Sequence, residues 1–151
     1  MGERRRKTFD ADLELKDAGL VAASAAAQVD SVNKILDLGT GTVEGDIIID
    51  VSAMEVLSDD EKYIIHAEVS SSSTFASDIY AVVSLILGSA GTAEWDNIPG
   101  DEDMYIGRYT LPFINEIVNG TPKRYLRLYT EVSGTVATGI NYTAYLSKRD
   151  K

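Results

Sequence analysis

Arg124-Tyr125-Leu126-Arg127-Leu128-Tyr129-Thr130-Glu131-Val132 is the stretch that decides the fold. On an extended chain, Leu126, Leu128, Thr130 and Val132 share one side, and Arg127, Tyr129 and Glu131 share the other. A period of two is what a strand lying over a core requires, whereas a helix places neighbours three and four apart on one face. The same alternation recurs in two further runs. In Gly139–Leu146, Ile140, Tyr142, Ala144 and Leu146 alternate with Asn141, Thr143 and Tyr145. In Tyr63–Val69, Tyr63, Ile65, Ala67 and Val69 alternate with Ile64, His66 and Glu68.

Working outward, short runs rich in Ile, Val, Tyr and Thr recur at Lys34–Leu38, Asp46–Val51, Ile79–Leu87 and Met104–Phe113, with a further strand near Leu13–Val21. Gly39-Thr40-Gly41, Ser70–Ser73, Gly88–Gly91, Pro99-Gly100-Asp101 and Gly134 separate them, and Asn119-Gly120 reads as a turn joining two strands. About eight short strands at this spacing predict an all-β antiparallel sandwich or barrel. The core candidates are Ile65, Val83, Leu85, Leu126, Leu128, Ile140 and Leu146. Ile79–Leu87 is apolar on both faces apart from Ser84. It is either a central strand covered on both sides or a strand with a partner outside the monomer. The alanine-rich Leu20–Ala27 fits one or two helical turns, or an extended strand followed by a loop.

A chain of 151 residues with 44% apolar and 25% charged residues fits one domain with a real core. Residues 1–12 read as a flexible basic arm and 13–151 as the sandwich. The net charge is −10, and the first seven residues hold four basic groups, Arg4, Arg5, Arg6 and Lys7, against Glu3. Removing them leaves ten basic and twenty-three acidic groups, a body of −13. Such a body repels phosphate backbones, which argues against nucleic-acid binding by the folded part. No segment approaches the roughly 20 apolar residues of a membrane-spanning helix. Phe9-Asp10-Ala11-Asp12 stands where a signal peptide carries its apolar stretch, so the expectation is a non-secreted protein.

With no cysteine and a single histidine, His66, the chain lacks the companions of the common nucleophile–base and metal sets. No phosphate loop, dinucleotide fingerprint or zinc-protease motif occurs, and nothing calls for a cofactor. The acid-rich stretch Glu94–Asp103 does not match a calcium-loop spacing and reads as a solvated loop. Asn119-Gly120-Thr121 and Asn141-Tyr142-Thr143 fit the glycosylation sequon, and both read as chance matches.

The C-terminal third adds a resemblance. Pro122-Lys123-Arg124-Tyr125-Leu126-Arg127-Leu128-Tyr129-Thr130-Glu131-Val132-Ser133-Gly134-Thr135, leading into Thr138–Leu146, resembles the end of the capsid cement proteins of certain short-tailed bacteriophages. The opening Phe9–Gly19, with the alanine-rich run after it, is also similar to theirs. The resemblance covers roughly the first and last thirty residues. The chain departs from the family in its acidic insertion around Glu94–Asp103 and in its basic arm. The resemblance implies a jelly-roll protein without catalytic residues on the outer surface of a virion capsid, made in the host cytoplasm. It implies reinforcement of the lattice by bridging subunits of the major capsid protein.

The residues expected to contact partners are Arg4, Arg5, Arg6, Lys7, Phe9, Tyr125, Arg127, Tyr129 and Tyr145. Self-association is expected too, a homodimer first and a trimer second, because of the two-faced apolar strand. Two alternatives predict different surfaces. A carbohydrate-binding sandwich needs coplanar exposed aromatics, drawn from Trp95, Tyr105, Tyr125 and Tyr145. A glycosidase or lyase using the acids near Asp101 needs two facing carboxylates about 5–10 Å apart. The basic arm leads to an expected outcome. Deleting residues 1–8 weakens attachment to capsids in a salt-dependent way, because opposite charges steer docking. It leaves the melting temperature of the isolated domain nearly unchanged. A shell-binding series in increasing salt, beside a thermal melt, checks both.

Overall fold

The computed structural model describes residues 9–58, 60–88, 106–117 and 120–149. A three-residue 3₁₀ turn, Ala11–Leu13, precedes a succession of strands. They are β1 (Glu14–Lys16), β2 (Leu20–Val21), β3 (Ala25–Ala26), β4 (Gln28–Val29), β5 (Val32–Asn33), β6 (Leu36–Asp37) and β7 (Glu44–Met54). There follow β8 (Lys62–Ser70), β9 (Tyr80–Gly88), β10 (Gly107–Ile114), β11 (Glu116–Ile117), β12 (Thr121–Pro122), β13 (Tyr125–Ser133) and β14 (Ile140–Lys148). Among the described residues no helix is long and apolar enough to cross a membrane.

Two antiparallel sheets carry the fold, in the orders β1-β14-β7-β10 and β3-β13-β8-β9, with β2 beside β14 and β6 beside β13. The pairs β1–β14, β3–β13, β7–β10 and β8–β9 are nested along the chain. The first elements lie against the last, and the innermost pair joins neighbours in sequence. This is a rolled hairpin, and it makes the molecule a jelly-roll sandwich. The alanine-rich Leu20–Ala27 is extended, supplying β2 and β3. Small side chains let this segment pass from the margin of one sheet to the margin of the other.

The inner faces follow the alternation. Ile65, Leu126, Leu128, Ile140 and Leu146 are fully buried, with Tyr63, Val69, Ile47 and Ile49 among them. Val83 and Leu85 are half-buried and pack against the core from its margin. The reason is topological: β9 is an edge strand, not a central one. The turn from β13 to β14 needs glycine at both ends. Gly134 and Gly139 have φ of 89° and 86°, and a Cβ on Gly139 would lie 1.9 Å from the Val21 carbonyl oxygen.

One polar contact crosses the core. The hydroxyls of Tyr142, on β14, and Thr130, on β13, lie 2.6 Å apart and are buried. Burial pushes the Tyr142 phenol well above its ordinary value, so it stays neutral. Lys16 is also buried, with Nζ donating to the carbonyls of Asp17, Gly19 and Tyr142 at 2.9, 2.9 and 3.0 Å. Thr130→Val leaves the Tyr142 hydroxyl without its partner and is expected to destabilise the domain by about 1–3 kcal/mol. Adding Tyr142→Phe recovers part of that loss, because no buried donor is then unsatisfied. Urea denaturation of both single variants and the double variant, treated as a cycle, tests this.

Candidate functional site

The outer face of the β3-β13-β8-β9 sheet gathers a row of charged and aromatic side chains. Strand alternation turns Tyr125, Arg127, Tyr129 and Glu131 of β13 outward, opposite Glu68, His66 and Ile64 of β8. On β9, Ser84 and Ile86 stand opposite His66 and Ile64. The face therefore grades from charged and aromatic at β13 to uncharged at β9.

Arg127 is its centre. Its Nε donates to Glu68 Oε2 at 2.7 Å, and the two side chains are only 18% and 15% exposed. The guanidinium lies 4.5 Å from the centroid of Phe75 and 5.4 Å from that of Tyr129. A planar cation near aromatic rings is attracted to their faces and covers apolar ring surface. Phe75 comes from the polar loop between β8 and β9 and holds a left-handed φ of 54°, with its N–H donating to the Ser72 carbonyl at 3.2 Å. That conformation is costly for a residue with a Cβ, by about 1–3 kcal/mol. Burying the ring against Arg127 offsets it.

Hydrogen bonds and ion pairs tie the neighbouring polar side chains together. His66 Nε2 lies 3.0 Å from Glu131 Oε2, and its Nδ1 lies 2.7 Å from Ser84 Oγ, so one ring spans three strands. Arg124 grips Asp37 with Nε and a terminal nitrogen at 2.7 and 2.8 Å, and its guanidinium lies 5.6 Å from the Tyr125 ring. Lys123 Nζ donates to Asp78 Oδ2 at 2.7 Å. The Arg124 hydrogen bonds, then the Gly39 N–H, lower the Asp37 carboxyl to about 2. The Lys123 ammonium, then the Ser71 hydroxyl, do the same for Asp78. Three ion pairs, Arg127–Glu68, Arg124–Asp37 and Lys123–Asp78, thus hold the charged side chains in and beside the face.

The nine residues expected to contact partners do not form one site. Tyr125, Arg127 and Tyr129 share this face. Tyr145 lies on the outer side of the other sheet, where Phe9 meets it edge-on with ring centroids 5.3 Å apart. Tyr145 is 7% exposed and Phe9 55%. Ile48, fully buried yet outside the core cluster, is the cross-strand neighbour of Tyr145. Residues 9–12, read from the sequence as arm, lie here: Asp10 caps the 3₁₀ turn by accepting from the Asp12 N–H at 3.0 Å. Arg4, Arg5, Arg6 and Lys7 lie outside the described residues, as do Trp95, Tyr105 and the acidic stretch Glu94–Asp103. Because Tyr125 and Tyr145 stand on opposite sides of the sandwich, they cannot share an aromatic platform.

Sequence reasoning missed Phe75 and Asp37. The only signal for Phe75 was a single aromatic within a Ser- and Thr-rich loop. Among the described residues, no three His, Asp or Glu side chains are placed to hold a metal ion. A cleft of about 370 Å³ lies elsewhere, between Lys16 and Ser31, lined largely by alanines. The chain matches no model of a known protein family and no curated protein sequence.

The ion pairs set an acid limit. Asp37 and Asp78 have folded values of about 2 against an ordinary 3.8. A lowered folded value contributes stability that is present above 3.8 and lost as pH falls towards 2. The melting temperature should therefore fall across that window. The fall should be shallower in Asp37→Asn and Asp78→Asn, which are less stable at neutral pH but lose less on acidification. Thermal melts from neutral pH down to 2 check the sign and the window.

Proposed function

We propose that this protein is a capsid cement protein. It docks on the outer surface of a bacteriophage shell through the outer face of the β3-β13-β8-β9 sheet and bridges subunits of the major capsid protein. The observation that carries the reading is Arg127, held close to both Phe75 and Tyr129 and tied to Glu68. Interface centres are rich in Tyr and Arg, and a few such anchors contribute most of the affinity. Here the anchor is already ordered in the free domain, so little side-chain entropy is lost on docking.

Two further observations support it. The jelly roll is the fold that the cement-protein resemblance implies, and its strand pairing is nested as such a fold requires. The residues carrying that resemblance, Pro122–Leu146, span β13 and β14, which lie inside the two sheets and set the outward-facing, half-buried row Tyr125, Arg127 and Tyr129. A shell pressed outward by packaged DNA gains from many copies of a modest contact, since linked weak contacts add as avidity.

Purified particles of the virus encoding the chain should carry it in fixed stoichiometry. Tyr129→Ala should weaken attachment to stripped particles on the order of 10–100-fold, the range of an interface anchor. Arg127→Lys keeps the charge but loses the planar stacking, and should also weaken attachment. Circular dichroism should stay unchanged in both. Absence from particles, or full attachment by both variants, would overturn the reading.

A further inference from the structure

We infer that the open edge of β9 pairs, antiparallel, with the same edge of a second copy of this chain. Among the described residues, β9 is hydrogen-bonded on one side only, to β8. A free strand edge is a template for another chain, and natural sheets blunt such edges with charge, proline or interruption.

The other three edges of the two main sheets are blunted. On β10, Pro112 lacks an N–H, and Arg108 is held at 2.7 Å by Asp50. Beside β14 the edge is broken into β1 and β2, with a register shift between Glu14 and Lys16. Beside β13 it is broken into the two-residue strands β3 and β6. By contrast β9 runs nine residues, Tyr80–Gly88, with no charge and no proline. Tyr80 and Ile86 are 43% and 39% exposed, and Ala81 and Ser84 are exposed beside them. A bulge opposite Ala67 and Glu68 twists the strand at Ala81–Val83, which leaves Val83–Leu87 as the regular run for a ladder.

Charge selects the occupant. Two copies of a chain with net charge −10 repel each other wherever their charged surfaces meet. They approach most easily along a stretch without charged side chains, and Val83–Leu87 of β9 is such a stretch. A strongly charged partner strand would find no ion there to pair with, whereas an uncharged apolar edge complements itself. Because the other edges are blunted, association stops at two copies and forms a closed pair instead of a fibre. The two sheets then join through β9, and their outer faces become one continuous surface. The pairing stands without the docking reading, which it would deepen by doubling the docking face.

Sedimentation velocity of the full chain over a micromolar concentration range tests it. The expected result is a two-chain mass that dissociates on dilution. Ile86→Lys should weaken the dimer on the order of 10–100-fold, because like charges then meet at the joint. Its melting temperature at low concentration should match that of the unaltered chain. Amide hydrogen exchange of the unaltered chain gives a second measure: Val83–Leu87 should become more protected as concentration rises. A single-chain mass at every concentration, a variant dimer of equal strength, or exchange independent of concentration would each overturn the pairing. If Ile86→Lys does not fold, the exchange measurement decides alone. A monomer that still binds shells overturns only the pairing, and a dimer that binds none overturns only the docking reading.

Discussion

The hydroxyls of Tyr142 and Thr130, 2.6 Å apart in the middle of the core, join β14 of one sheet to β13 of the other. Both strands lie inside their sheets, and each carries a long antiparallel neighbour, β7 or β8. A hydrogen bond between inner faces is satisfied in one relative placement of the sheets, whereas apolar packing tolerates sliding. Setting that placement also sets which side chains of β13 face out. Thr130 points in and its neighbours Tyr129 and Glu131 point out, so the row from Tyr125 to Glu131 is registered by a contact on the opposite side of its strand.

The two outer faces are finished differently. Over the β14 sheet, Phe9 covers Tyr145, beside the buried Ile48. This is a small second core, closed by the chain's own N-terminal segment. Over the β13 sheet, the loop after β8 contributes Phe75 and covers only part of the face. What remains is a surface of matched ion pairs and tyrosines that grades into an uncharged margin at β9. The more exposed of these pairs, Arg124–Asp37, is of the kind worth about 0–1 kcal/mol, whereas Arg127–Glu68 is largely covered. Their effect is to fix side chains in place, which suits a surface that meets another protein.

Much of the architecture was legible in the sequence, because strand periodicity is a local property. Leu126, Leu128, Ile140 and Leu146 announce their inward direction through residues two positions away. Gly134 marks a turn on the same local grounds, and the chain's acidic balance argues against a phosphate-binding body from composition alone. The candidate face was legible only in part. Alternation paired Arg127 with Tyr129, but nothing local showed that Glu68, 59 positions away, would pair with it, or that Phe75 would lie over it.

Strand order was decided by tertiary structure alone. The apolar character of Ile79–Leu87 is equally compatible with the centre of a sheet and with an edge, because a strand's own residues do not record how many neighbours it has. The same limit applies to Tyr125 and Tyr145. Both belong to alternating strands near the C-terminus, yet they stand on opposite sides of the molecule because β13 and β14 enter different sheets. The sequence by itself determined what alternates and where the chain turns, since those depend on neighbours along the backbone. The tertiary structure decided which faces meet, which strands neighbour each other and which side chains gather, since those depend on long-range pairing of the chain.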